Sequence, residues 1–443
     1  MSIWGKFRIS SFQIIAFGFF TAILIGTLLL MLPVASVQQG GACFADCLFT
    51  ATSAVCVTGL VVQDTATFWS TFGQAVILVL IQIGGMGVVT AAVSMAFVTK
   101  RRIGLMQRSV MQESISAPQV GGIVRLTRFI VLTALAIETL GAFLLLPVFI
   151  PEFGIGKGIW YAVFHSISAF CNAGFDLMGI RGAFSSMTGY SQQALVNIVL
   201  ILLITVGGIG FLVWNDIRQY GIHLKRYRLQ SKLVLVTSAV MILIPFLWFL
   251  LLEMKEMPVS ERILPSLFQS VTLRTAGFNT VDLTRMSGGG QGLMILWMLV
   301  GGSPGSTAGG MKTTTMAVLF LTALSVFRRK DDVSCFGRRI GLDPVRNAVA
   351  ILMMYLSLFF AGGMIISITE GLPLLTCLFE TASALGTVGL SMGITGRMGL
   401  LSRGILIVLM FLGRVGGLTL IYAAQSVKKA SCSTLPLEKL TVG

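Results

Sequence analysis

The chain has 443 residues, of which 55% are hydrophobic and 11% charged, whereas a soluble protein carries charge on about a quarter of its residues. This deficit excludes a soluble globular protein and predicts an integral membrane protein. Most of the residues behind the net charge of +15 lie in five segments outside the apolar stretches, which argues against nucleic-acid binding and follows the positive-inside bias of membrane proteins.

Six apolar stretches have about the length that a bilayer-spanning helix needs. They lie at 12–34, 129–151, 191–214, 233–252, 346–367 and 401–424. The first is followed by more apolar sequence and no cleavage site, so we expect it to remain as a span.

The distribution of basic residues predicts the orientation of the chain. The segment 34–99 has no Lys or Arg, so both termini and the basic loops are expected in the cytoplasm of a multi-pass cell-membrane protein. The basic residues cluster in the loops 100–128, 218–232 and 328–346 and in the termini at Lys6, Arg8, Lys428, Lys429 and Lys439.

Four segments resemble one another, and each ends in a glycine followed by a bulky apolar residue. They are FTATSAVCVTGL at 49–60, FHSISAFCNAGF at 164–175, LFQSVTLRTAGF at 267–278 and FETASALGTVGL at 379–390. An apolar stretch precedes each segment, and a glycine-interrupted apolar stretch follows it. We therefore predict an all-α integral membrane fold of four helix–pore loop–helix repeats, with eight spans and four re-entrant half-helices around a pseudo-fourfold pore. The repeats are placed at 1–99, 100–217, 218–327 and 328–443.

Each repeated segment is too short to span a bilayer and too apolar for an outer loop, which predicts a half-helix that stops midway. A terminal glycine allows backbone carbonyls to point at a common axis, where they replace the hydration shell of a monovalent cation. Close helix packing is the other explanation for such glycines. The predicted filter for potassium consists of Cys56, Val57, Thr58, Gly59, Cys171, Asn172, Ala173, Gly174, Arg274, Thr275, Ala276, Gly277, Gly386, Thr387, Val388 and Gly389.

Several polar side chains follow or flank the filter segments. Asp64, Asp176 and Asp282 come two to five residues after a filter glycine, where they either concentrate cations at the outer mouth or act as ordinary loop acids. Cys43 and Cys47 leave a disulfide or simple packing open. The seven cysteines form neither a disulfide framework nor a metal motif.

The third and fourth repeats depart from the pattern below the filter. The glycines and proline of GGSPGSTAGGMK cannot form a regular helix, so residues 301–311 are predicted to be an unwound gate loop. Arg414 occupies the equivalent place in the fourth repeat and is predicted to be a pore cation. A structural kink and an Arg414 side chain that extends to the cytoplasm are the alternatives. The gate-loop residues are Gly301, Gly302, Ser303, Pro304, Gly305, Ser306, Thr307, Ala308, Gly309, Gly310 and Lys312.

Two further charged residues fall within the repeated segments. Arg274 is expected to face away from the axis, and Glu380 in the fourth half-helix is predicted to be its ion-pair partner, because both otherwise lack a reason to be buried. Glu138 lies in the first span of the second repeat without an assigned role.

The four glycine segments, the GGSPGSTAGGMK loop and LGRVGGLT at 412–419 resemble the potassium-translocating membrane subunits of the Trk/Ktr/HKT superfamily. With no extra N-terminal pair of spans, the chain is most similar to the bacterial KtrB membrane subunit. The resemblance implies that the filter glycines bind potassium, that the loop at 301–311 is the gate, and that Arg414 is the pore cation.

The resemblance also implies a homodimer with one pore per protomer, in a bacterial cell membrane, on a cytoplasmic octameric ring of KtrA-type regulatory subunits that bind ATP or ADP. The chain has no nucleotide-binding fingerprint of its own, so ATP control is expected only through this partner. The basic loops are docking surfaces for the ring or contacts for anionic membrane lipid.

One departure from the family concerns the filter. Cys56 stands where the family often has threonine, whereas Gly59 indicates potassium preference, because sodium-preferring relatives tend to carry serine there.

Three other functions remain open at this stage. A sodium-selective or sodium-coupled transporter would share the architecture, and a subunit with a non-conducting pore would share it too. An intramembrane serine protease that uses Ser303 or Ser306 would need a neighbouring base, for which the chain offers only His165 and His223.

Overall fold

The computed structural model describes residues 10–38, 40–91, 104–115, 119, 121–417 and 438. The predictions about Lys6, Arg8, Lys428, Lys429 and Lys439 at the two termini lie outside the described residues.

The described part of the chain is almost entirely helical, with one two-stranded antiparallel hairpin of β1 (Ser334–Cys335) and β2 (Arg338–Arg339). The α-helices are α1 (Ser11–Leu30), α2 (Phe44–Val55), α3 (Thr71–Met86), α4 (Leu105–Ile115), α5 (Ile123–Phe153), α6 (Ile155–Phe170), α7 (Ala194–Gly208), α8 (Phe211–Tyr220), α9 (Leu229–Trp248), α10 (Val259–Thr272), α11 (Gly288–Met298), α12 (Thr313–Phe327), α13 (Leu342–Glu370), α14 (Leu374–Gly386) and α15 (Leu400–Val415).

Four helices in the described residues are long and apolar enough to cross a membrane. They are α1, α5, α9 with its extension to Glu253, and α13. About a third or less of each apolar window is buried, and large side chains such as Phe17, Phe143 and Ile368 stay exposed. Lipid tails are the natural environment for such surfaces, since exposed apolar patches of this extent are rare in soluble proteins.

The helices that follow the first, second and fourth repeated segments are interrupted at glycine. Four helices of the described residues are long enough to span a membrane, so the eight predicted spans stay a prediction. α3 ends at Gly87 with φ 83°, α7 gives way to α8 at Gly210 with φ 95°, and α15 ends at Gly416 with φ 88°. The break turns α8 by 94° from α7. Only glycine adopts these backbone angles without steric cost. In the third repeat the break widens into an irregular stretch between α11 and α12.

The packing of the short helices closes into a ring. α2 packs between α1 and α3, α6 between α5 and α7, and α14 between α13 and α15, while α10 packs on α9. In addition α3 contacts α6, α7 contacts α10, α11 contacts α14, and α15 contacts α2. Each broken helix therefore touches the short helix that follows it around the ring.

Candidate functional site

The four short helices α2, α6, α10 and α14 deliver the four predicted filter segments to the centre of the molecule. α2 and α6 stop one residue before Cys56 and Cys171, α10 stops two residues before Arg274, and α14 ends on Gly386. All sixteen predicted filter residues are buried except the half-buried Gly389. The C-terminal, partly negative end of each short helix therefore points at the segment that follows it.

The backbone of the filter segments alternates in handedness. In each segment the second and fourth residues have a positive φ and the third does not. Alternation of left- and right-handed residues turns successive carbonyl oxygens toward the same side of the segment, as a ring of carbonyl ligands requires. Three of the second residues are β-branched, for which a positive φ is strained, and such strain collects at functional sites. The values are 55° at Val57, 59° at Asn172, 64° at Thr275, 51° at Thr387, and 69° to 95° at the four glycines.

The four terminal glycines meet one another in sequence order. A side chain at any of them would run into the next segment, so the ring has room only for backbone. A Cβ added at Gly59 would lie 2.5 Å from the Ala173 carbonyl oxygen, at Gly174 2.8 Å from that of Ala276, at Gly277 2.6 Å from that of Val388, and at Gly389 2.2 Å from that of Thr58.

Hydroxyl groups of the short helices hold the filter backbone, a role that the sequence reasoning did not assign. Ser53 accepts a hydrogen bond from the Gly59 amide at 3.1 Å, and Ser383 accepts one from the Gly389 amide at 3.0 Å. Ser168 and Thr272 donate to the carbonyls that follow Gly174 and Gly277, at 2.7 and 2.6 Å. The recurrence of Ser or Thr five or six residues before each glycine was the available signal.

One face of the ring opens into a vestibule of about 500 Å³ that all four predicted filter glycines line. Asp64, Asp176, Asp282 and Arg397 also line it. The acids have structural bonds as well: Asp64 accepts from the Phe184 amide at 2.9 Å, and Asp282 pairs with Arg285 at 3.3 Å. These residues therefore hold the loops around the vestibule and place carboxyl groups along its wall.

Uptake is expected to depend on the protonation of Asp176. Burial, with a contribution from the nearby Asp64 carboxylate, raises the pKa of Asp176 to about 7. Since the acid is neutral below its pKa, the vestibule gains negative charge between pH 6 and 8, and cation uptake should rise about twofold over this range. Asp176→Asn should remove the rise, measured as rubidium uptake by cells.

Asp282→Asn is the matched control, because hydrogen bonds from Thr284 lower the pKa of Asp282 and leave it charged throughout. This variant should lower uptake equally at both pH values. An unchanged pH profile in Asp176→Asn would contradict the role of Asp176.

The predicted gate loop lies directly below the glycine ring. Its backbone is hydrogen-bonded to two broken helices, since the Ser303 amide donates to Gly208 at 3.1 Å and the Gly310 amide donates to Gly413 at 3.1 Å. A Cβ added at Gly309 would lie 2.2 Å from the Thr387 hydroxyl of the filter. The loop is thus fixed between the filter and the helices that surround it.

Two cations lie at the loop. Arg414 donates to the Thr307 carbonyl of the loop and to the Gly84 carbonyl of α3, and it reaches Gly85 at 3.2 Å. Lys312 donates to the Ala308 carbonyl at 2.9 Å. Arg414 therefore ties the loop to the first repeat instead of extending away from it.

A cavity of about 290 Å³ lies on the other side of the loop from the vestibule, and both Arg414 and Lys312 line it. Helix α4 borders the same cavity, and a Cβ at Gly305 of the loop would lie 2.4 Å from the Ile115 carbonyl of α4. The loop and its two cations accordingly separate the two cavities.

The predicted ion pair of Arg274 with Glu380 is wrong. Arg274 is buried and donates to the Ser238 hydroxyl of α9 at 3.0 Å. Glu380 accepts three hydrogen bonds from the loop that follows its own filter segment, from Ser391 at 2.7 Å, Met392 at 2.8 Å and Thr395 at 2.8 Å. Neutral donors satisfy the carboxylate, so it needs no cation.

Glu380→Leu is expected to destabilise the protein by about 2–3 kcal/mol, because the Met392 amide and two hydroxyls lose a buried acceptor. The melting temperature in detergent should fall by several degrees. The exposed Glu256 provides the control Glu256→Leu, which should melt like the wild type. Equal melting temperatures of the two variants would show that the hydrogen bonds of Glu380 do not stabilise the protein.

Glu138 also has neutral partners. Gln82 donates to both of its carboxylate oxygens, at 3.0 and 3.1 Å, and the Cys171 thiol of the filter lies 3.9 Å from one of them. Glu138 thus packs behind the second filter segment. Cys43 and Cys47 are both free thiols, so the disulfide left open above is absent.

Neither of the two histidines, both of which lie in the described part of the chain, bonds the serines considered for proteolysis. Ser306 donates to the Ser303 carbonyl at 2.7 Å, and the Ser303 hydroxyl accepts from Thr313 at 3.1 Å. His165 bonds the Tyr161 carbonyl and the Leu177 amide, and His223 lies at Tyr220. This arrangement offers no activated nucleophile.

Comparison with known proteins identifies similar transporters over nearly the whole chain. A family model described as TrkH, cation transport protein, matches residues 8–432. The potassium/sodium uptake protein NtpJ of Enterococcus hirae is 40% identical over 425 residues, which cover 94% of this chain and 93% of that protein. The Ktr system potassium uptake protein B of Bacillus subtilis is 37% identical, with 95% and 94% covered, and that of Vibrio alginolyticus is 35% identical, with 93% and 90% covered.

The fold has a solved counterpart. The crystal structure of the potassium transporter TrkH from Vibrio parahaemolyticus matches with a TM-score of 0.74 and 21% identity, over 96% of this chain and 86% of that one. At this identity the match establishes the mostly helical fold.

Proposed function

Because the chain belongs to the TrkH family of cation transport proteins, we propose that it takes up potassium through a gated pore lined by backbone carbonyls. Membership of this family makes the chain a multi-pass membrane transporter and not an enzyme, so the protease alternative is wrong. The proposal assigns the pore to four helix–pore loop–helix repeats with the boundaries predicted above.

The observation that carries the proposal is the ring of Gly59, Gly174, Gly277 and Gly389. Only backbone fits at the ring, and the alternating handedness of each segment supplies carbonyl oxygens that suit a dehydrated monovalent cation. The ring of helix contacts supports the fourfold arrangement, and the acidic vestibule supports a cation as the substrate.

In this proposal the loop at 301–311 is the gate and Arg414 is the charge that opposes cation flow. The loop lies between the vestibule and the inner cavity, and Arg414 bonds it through the Thr307 carbonyl. Opening requires the loop to move away from the filter, and the contact of Gly305 with α4 offers a route by which the 100–128 segment influences it.

Sodium is the second candidate substrate, because NtpJ is named a potassium/sodium uptake protein. Gly59 favours potassium as the substrate, because glycine leaves the ring of carbonyl oxygens undistorted. A serine Cβ at this position would lie 2.5 Å from the Ala173 carbonyl oxygen.

We also propose a homodimer and a cytoplasmic KtrA-type ring that binds ATP or ADP, with both termini of this chain in the cytoplasm. Two relatives are named as parts of a Ktr system, which supports a multi-component assembly. The basic pocket of about 320 Å³ lined by Lys225, Arg226, Lys232 and Arg338 is a suitable contact for the ring or for anionic lipid headgroups.

Complementation tests this function directly. A bacterium without its own potassium uptake systems should grow at low potassium when it expresses this chain together with a candidate regulatory subunit. Failure to grow with protein present in the membrane would contradict the proposal, and equal growth with and without the subunit would show that this subunit does not stimulate uptake.

A further inference from the structure

Thr307 of the predicted gate loop connects two parts of the site. Its side chain contacts the second filter segment, and its backbone carbonyl bonds Arg414. Its hydroxyl lies 3.1 Å from the Phe170 carbonyl and 3.1 Å from the side-chain oxygen of Asn172. Its own carbonyl accepts from Arg414. The residue is fully buried, so water does not replace these partners.

Asn172 continues the connection into the third filter segment. Its side-chain nitrogen donates to the Arg274 carbonyl at 3.2 Å. The equivalent positions of the other segments hold Val57, Thr275 and Thr387. Valine has no polar side-chain atom, and the two threonine hydroxyls have no hydrogen-bond partner among the described residues. The carboxamide therefore joins the second filter segment, the third filter segment and the loop.

Withdrawal of the loop necessarily breaks this chain of bonds at Thr307. The carboxamide of Asn172 then loses a partner in a buried site, which favours a different orientation, because a buried polar group without a partner is costly. The Arg274 carbonyl, at the inner end of the filter, loses its fixed position when the carboxamide turns.

From these contacts we infer that Thr307 and Asn172 make ion preference depend on the state of the loop. With the loop in place, Asn172 holds the Arg274 carbonyl and the filter prefers potassium; with the loop withdrawn, the preference falls. Thr307 and Asn172 are positioning residues that act through the filter backbone. The inference rests on the proposed function and adds a link between the gate and selectivity.

Thr307→Val removes the hydroxyl and keeps the shape of the side chain. Asn172→Val removes the carboxamide and introduces the residue that the equivalent position of the first segment, Val57, holds at a similar positive φ of 55°. Potassium and sodium uptake are measured for wild type, both single variants and the double variant in liposomes. Each single variant should lower the potassium-to-sodium ratio about fivefold, and the double variant should fall no further, because both changes break the same link. Thr307→Ser should recover most of the loss.

Thr139→Val is the matched control, because the exposed Thr139 bonds only within its own helix, at 2.7 Å to the Leu135 carbonyl. As a second readout that needs no transport, potassium should raise the melting temperature of wild type more than sodium does, and both single variants should lose this difference.

An unchanged potassium-to-sodium uptake ratio in both single variants would contradict the inference that Thr307 and Asn172 connect the loop to ion preference. A double variant whose ratio falls by the product of the two single effects would contradict it as well. Wild-type liposomes that take up neither cation would instead refute the proposed function, so the two failures are distinguishable.

Discussion

A chain that carries Arg414→Gln is expected to take up potassium about tenfold faster than the wild type. The substitution removes a positive charge from the path and releases the loop from its bonds through the Thr307 and Gly84 carbonyls. Tenfold corresponds to about 1.4 kcal/mol of barrier, well below the repulsion of two unit charges a few ångströms apart at intermediate dielectric. Uptake of radioactive rubidium by proteoliposomes measures the effect.

Arg414→Lys separates the effect of the positive charge from the effect of the hydrogen bonds to the loop. Lysine keeps the charge but lacks the planar group that bonds several carbonyls at once. Its uptake should lie between those of wild type and Arg414→Gln. Arg346→Gln, at an exposed site, controls for loss of charge in general. Uptake in folded Arg414→Gln at or below the wild-type rate would show that Arg414 does not restrain the ion.

Gly59→Ser is expected to lower the potassium-to-sodium uptake ratio at least about tenfold, since a distorted carbonyl ring no longer matches the hydration shell that potassium loses. The serine Cβ would lie 2.5 Å from the Ala173 carbonyl oxygen, at a φ of 90° that non-glycine residues rarely adopt. The second segment of the filter must therefore move. Competitive uptake from mixed potassium and sodium solutions measures the ratio.

Gly404→Ser is the control, because nothing lies within 4 Å of a Cβ at that position. It should leave the ratio at the wild-type value. An unchanged potassium-to-sodium uptake ratio in Gly59→Ser would show that the glycine ring does not determine selectivity.

The sequence was sufficient to locate the four short segments whose glycines meet in the structure, since the recurrence of short apolar segments that end in glycine is a local signal. It also predicted an irregular loop at 301–311, because glycine and proline do not continue a helix. The sequence also indicated that Arg414 lies near this loop, because Arg414 occupies in the fourth repeat the place that the loop occupies in the third.

The partners of buried charges were not predictable in the same way. Glu380 bonds Ser391 and Thr395, which reach it because the outer loop folds back over the short helix. Without that geometry an opposite charge was the simplest partner to assume, and Arg274 was the wrong choice. Side-chain partners depend on tertiary structure that a local pattern does not contain.

The breaks in the second helices illustrate the same limit. Gly87, Gly210 and Gly416 follow apolar stretches that suffice in length for a span, and a glycine within such a stretch is also common in continuous helices. Gly87 and Gly210 have positive φ values and lie against α4 and the loop, since a Cβ at Gly87 would lie 3.4 Å from the Ser114 hydroxyl and one at Gly210 2.8 Å from the Pro304 carbonyl oxygen. The repeat boundaries and the roles assigned to the filter, the loop and Arg414 stay predictions.

Potassium selectivity is the central claim, and ion uptake by purified wild-type chain in liposomes, with potassium or sodium as the only cation, tests it most directly. We expect saturable potassium uptake that exceeds sodium uptake at every concentration. Sodium uptake equal to that of potassium would contradict the account.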